Sequence, residues 1–207
     1  MPSPPKSPPI GIRYVSDAVK SDHRLLERLS ASLGAPSPTS SPDSPGSQRA
    51  LCSRFAWELA RHLVAMELFI FPGTAHRAKQ GNQAAQDRQR DMAQLRDALR
   101  SFSEAAATSG PGREKLDKAF EELSGLLTQH IRDIERVELV NIEKVLSGQE
   151  SEDLARDFER SVFFIPYGVR DEEEEDSSVK APYKTVGGLL DAGAEELRAA
   201  MEKFPRE

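Results

Sequence analysis

Three histidines stand where the pattern of the chain calls for apolar residues. His23 falls between Val19 and Leu26, His62 sits in the row Phe55, Leu59, Met66, Phe69, and His130 in the row Leu116, Phe120, Leu123, Leu127, Ile134. Each row steps by three and four, so each marks one face of a helix. An imidazole buried on such a face needs partners for its ring nitrogens, and a metal ion is one such partner. Three imidazoles that converge on iron or zinc would leave a position open, where a bound water becomes acidic. Neutral, hydrogen-bonded core histidines are the alternative the same pattern allows.

Other chemistry finds little support. Cys52 is the sole cysteine, so neither an intrachain disulfide nor a thiolate cluster is possible; it reads as a small apolar filler near the start of a helix. Serines are abundant only in the linkers, and there is neither a strand-turn-helix elbow nor a glycine-rich phosphate loop. An ordinary hydrolase or nucleotide enzyme is therefore disfavoured. The net charge of -6 argues against nonspecific nucleic-acid binding, which needs clustered basic residues to meet phosphates. No segment is long and apolar enough for a membrane span, and the Pro-rich start is unlike a signal peptide. A cytoplasmic, reducing setting is the expectation; a protein partner is left open.

The histidines need helices to hold them. Over 207 residues, 38% hydrophobic and 30% charged, the chain can build one domain with a sizeable core. Helices are expected over 15–33, 48–71, 83–108, 113–146 and 151–164, with a shorter one over 185–204. Gly34, Gly110, Pro111, Gly112 and Gly148 supply stops. With no convincing strand pattern, and short connections after the second and third helices, the fold reads as all-α: an up-down four-helix bundle with a C-terminal helical extension.

Residues 1–12 form a Pro-rich tail, 13–148 the bundle with a Pro/Ser linker at 35–47, and 149–207 C-terminal helices with an acidic loop at 171–176. The loop lacks the ligand spacing of a calcium site. Leu189, Leu190, Leu197 and Phe204 need burial, so the tail is expected to cover the open end of the bundle. Trp57 and Tyr183 read as packing anchors, and His76 as a surface residue in a loop. Asp22 reads as a local cap or pairing group, with support of a ligand histidine as the sharper alternative.

Several stretches resemble the hemerythrin-like (HHE) cation-binding domains. Residues 14–23, ending at His23, are similar to the family's opening. Residues 55–62, with Glu67-Leu68 and Phe71-Pro72, are similar to its second helix, and residues 126–135 to its fourth-helix motif. The ending from Pro182 to Leu190 and on through Pro205 resembles the tail of a fungal branch. The resemblance implies a non-haem di-iron centre in the bundle core. Its ligands would be a histidine from helix one, a histidine and a glutamate four residues later from helix two, and a histidine from helix three. Helix four would add a histidine and an acid four or five residues later.

This chain departs from the implied ligand set at Met66, Met92 and Ile134. Glu67 and Glu135 follow their histidines by five, a step that rotates a side chain by about 140° around a helix. Because the family uses a five-residue step in helix four, Glu135 joins His23, His62 and His130 as a candidate metal ligand. Glu67 is expected to face solvent or pair with an arginine. The leading expectation is a degenerate site in a non-catalytic bundle or interaction module without cofactor. The alternatives are one iron or zinc on the retained histidines, or a full di-iron centre for oxygen or iron.

Overall fold

A computed structural model describes residues 14–35, 45–73, 82–108, 113–169 and 181–204. Among these the chain is helical and has no strand. Helix α1 (Val15–Gly34) buries Val15, Ala18, Val19, Leu26 and Leu29 in one stripe, and Asp22 and His23 lie in that stripe with them. Its first turn has no cap from its own flank. The free N–H groups are met from a distance: Val15 donates to Ser151 Oγ at 2.8 Å and Ser16 to Glu143 Oε1 at 2.9 Å. These bonds tie the start of α1 to the far end of the bundle and satisfy donors that every helix start leaves open.

Helix α2 (Pro45–Ala65) is the central element. From Phe55 to Met66 every residue is buried, the charged Glu58 and Arg61 included. A helix buried all round must be covered on every side, and here α1, α3 (Asn82–Ala107) and the C-terminal helices do so. Helix α3 turns Met92, Leu95, Leu99 and Phe102 inward. Helix α4 (Arg113–Asp133) packs along α3 and contributes Leu123, Leu127, His130 and Ile131. These four long helices form the bundle.

Two expected helices contain a widened turn that periodicity did not reveal. Helix α2 passes into a π turn at Met66–Ile70, and α4 into another at Ile134–Glu138, before α5 (Leu139–Glu143). Each opens at the residue four past a site histidine. The first also corrects the expected stop before Pro72, because residues 71–73 remain helical. Phe71 N–H bonds to the Met66 carbonyl five residues back. Pro72 has no N–H to continue the ladder, and the π turn lies just before it.

Helix α6 (Gly148–Arg160) starts on a full capping box between Ser147 and Glu150, then tightens to a 3-10 turn at Ser161–Phe164. It packs along α1. The expected single tail helix is two, α7 (Val186–Asp191) and α8 (Ala194–Glu202), with extended backbone at Ala192 and Gly193 between them. The break lets Leu189 and Leu190 on one helix, and Leu197 and Met201 on the other, be buried at once. Helix α7 lies on α2 and α3. Arg96 donates to the Leu190 carbonyl at 2.8 Å, and Arg160 to the carbonyls of Met201 and Phe204 at 3.0 and 3.2 Å.

Each buried leucine of this tail is worth about 2–5 kcal/mol against alanine. Deleting residues 185–207 is therefore expected to lower the melting temperature by more than about 10 °C. An unchanged melting curve by circular dichroism would reject the docking.

Candidate metal centre

The three histidines meet in the bundle core. His23 comes from α1, His62 from α2 and His130 from α4, and one ring nitrogen of each lies within 4.8 Å of one from both others. His62 Nε2 is 3.1 Å from His130 Nε2. Ring centroids are 5.0 Å apart for His23 and His62, 6.1 Å for His23 and His130, and 5.3 Å for His62 and His130. The Phe158 ring of α6 lies edge-on to His62. All three imidazoles are buried.

Two of the rings are held from behind by carboxylates. His62 Nδ1 is 2.7 Å from Asp22 Oδ2, and His23 Nδ1 is 2.8 Å from Glu135 Oε1. A carboxylate accepts, so in the neutral ring Nδ1 carries the proton and Nε2 the lone pair. His23 Nε2 is buried and has no hydrogen-bond partner. Leaving such a nitrogen unmet costs about 1–3 kcal/mol.

The Asp22 carboxylate is part of a larger buried array. It also pairs with Arg61, which reaches Ser161 Oγ at 3.3 Å and approaches Glu58 at 3.4 Å. Arg61 lies over the Phe158 ring. Burial pushes the Asp22 carboxyl up, but Arg61 and His62 outweigh it and hold it down to about 2. Burial also raises Glu58, with Arg61 pulling the other way. Burial is the main reason that His23 is lowered to about 4, with His62 adding to it and Glu135 opposing. The same two influences, burial first and then the neighbouring imidazoles, drive His130 well below the ordinary range. Neutral imidazoles are what a metal requires.

Glu135 lies in the π turn that follows His130 and reaches α1, where its Oε1 meets His23 Nδ1. Glu67 pairs with Arg96 at 2.5 Å near the surface. Met66, Met92 and Ile134 are buried apolar residues. Cys52 is buried, and burial raises its thiol. Trp57 is buried, while Tyr183 packs on Phe164 and donates to Glu196 at 3.1 Å. His76 and the acidic run 171–176 lie outside the described residues.

The roles of Arg61 and Glu58 are not apparent from spacing, and Asp22 is undervalued by it. The available signal was composition: charged residues inside a buried stripe have to be paired.

Residues 15–139 match the Hemerythrin HHE cation binding domain. The chain belongs to that family. This hemerythrin-like chain is also 30% identical over 192 residues to a hemerythrin-like protein of Schizosaccharomyces pombe, itself described as uncharacterized. The match covers 92% of this chain and 88% of the yeast protein. No solved structure matches it. Among the described residues, no helix is long and apolar enough to cross a membrane.

Proposed function

We propose that this hemerythrin-like bundle binds a single divalent cation, iron or zinc, through His23, His62 and His130, and that its site is reduced from the two-metal arrangement of the family. The observation that carries this reading is the buried His23 Nε2 without a hydrogen-bond partner, in a cluster of three histidines whose ligand atoms lie within 4.8 Å of one another. The donor set fits one ion. Three imidazoles suit iron or zinc, and carboxylates behind His23 and His62 fix ring orientation and raise basicity, as outer partners of metal-bound histidines do.

The charge also fits one ion. Asp22 backs His62 while pairing with Arg61, and Glu135 backs His23, so carboxylates stand behind two of the imidazoles that would meet a divalent cation. A second ion would need ligands that Met66, Met92 and Ile134 do not offer. A bound ion would supply Lewis acidity and an acidic water. The chain's own residues hold and orient it and shield it from bulk solvent. Glu135, one-third exposed, supports His23 in this reading rather than ligating directly. We read the protein as a cation-binding module, not as a reversible oxygen carrier.

The test is metal content by mass spectrometry after expression with iron and zinc supplied, beside the double variant His62→Ala, His130→Ala. About one ion per chain, lost in the variant, is the expected result. Two irons per chain would show that the methionines do not block the second position. No metal in either protein would refute the reading and leave a packed bundle acting through its surface.

A further inference from the structure

A groove reaches the three-histidine site at His130. Met92 and Ile134, two of the residues that stand where the family's ligands would be, line a cavity of about 500 Å³ between α3 and the end of α4, and His130 is in its wall. Asp87, Asp91 and Asp133 stand around it. Glu138 is also there but is tied to Arg88 at 2.8 Å. Asp87 touches Arg90 at 3.3 Å in an exposed pair, and Asp133 accepts from Gln129 at 2.6 Å.

We propose that this groove is the route by which a divalent cation reaches the three histidines, with Asp87, Asp91 and Asp133 drawing it in. The inference rests on the one-cation reading above. Arg88 also lines the groove but is paired with Glu138, so the rim carries an excess of negative charge. A cleft with such an excess and apolar walls raises the local concentration of the opposite ion. Inside the rim, the Met92 and Ile134 side chains offer no oxygen to hold the ion, and His130 is the site histidine that the groove reaches. The acids are exposed enough to attract a hydrated cation without trapping it. Their effect is on the rate of loading more than on final affinity.

The experiment follows cobalt(II) uptake by the metal-stripped full chain in stopped flow, read from the visible absorption of the bound ion. The triple variant Asp87→Asn, Asp91→Asn, Asp133→Asn is compared with Glu114→Gln, Glu121→Gln, Glu122→Gln, which removes as much charge from exposed positions in the N-terminal half of α4, outside the groove lining. At low ionic strength the first is expected to load roughly tenfold more slowly and the second at the wild-type rate. The difference should vanish near 1 M salt, where screening acts over about 3 Å. Ala84→Trp, at an exposed position in the groove wall, should slow loading at any salt. Wild-type rates in the aspartate variant and in Ala84→Trp, with one cobalt still bound per chain, would overturn the route alone. Absence of cobalt binding by the wild type would overturn the one-cation reading itself.

Discussion

Asp22→Ala is expected to destabilise the fold by about 3–5 kcal/mol, the usual cost of removing one partner from a buried ion pair. The melting temperature should drop by roughly 6–20 °C. The variant strands Arg61, which is 5% exposed, and leaves the Nδ1 proton of His62 without its acceptor. Asp22→Asn separates shape from charge: it fills the same space but removes one of the carboxylates that pair with Arg61 and leaves Glu58. Its cost should approach that of alanine. Metal affinity should fall about 10–100-fold in both, as for other losses of a carboxylate behind a ligand histidine. Chemical denaturation and competition with a chromophoric chelator would measure the two effects. A loss under about 1 kcal/mol with unchanged affinity would remove Asp22 from the site.

The same group gives a pH signature. Its carboxyl is held at about 2 in the fold, against an ordinary 3.8. The unfolded chain therefore binds the proton more readily, and the Asp22 contribution is fully present above about pH 4 and lost as pH falls toward 2. The gap in stability between wild type and Asp22→Ala should narrow over that window.

Zinc is expected to raise the stability of the metal-stripped protein by about 4 kcal/mol at a free concentration a thousand times its Kd. For a chain of this size that is roughly 8–16 °C in Tm, and His62→Ala, His130→Ala should show no shift. Without metal, the lowered His23 and His130 give the opposite dependence to a stabilised imidazolium. Unfolded histidines titrate near 6.5, while His23 in the fold waits until about 4 and His130 until well below the ordinary range. Between those limits the unfolded chain binds protons that the fold refuses, so stability falls as pH is lowered from 6.5 toward 4. Melting temperature against pH, with His23→Leu as the flattened control, reads this directly. A flat wild-type profile would mean that the imidazoles titrate alike in the folded and the unfolded chain.

The seams of the bundle were legible because burial follows helical period. Steps of three and four put His23, His62 and His130 on inward faces, and it was the resemblance to the family that set Met66, Met92 and Ile134 apart from the ligands it implies. The tail leucines demanded burial and are buried. Short-range rules also gave the pairing of Glu67 with an arginine, since a five-residue step leaves the inward face.

The sequence by itself determined which side chains point into the core, because that depends only on residue type and the rotation of one helix. What each inward group meets was decided by the tertiary structure. The positions of α1, α2 and α4 relative to one another bring Asp22 to His62 and Glu135 to His23, leave His23 Nε2 unmet, and open the groove beside His130. The π turns and the break at Ala192 and Gly193 belong to the same class. Hydrogen bonding and packing among neighbours override local propensity there, and residues far apart in the chain set those forces together.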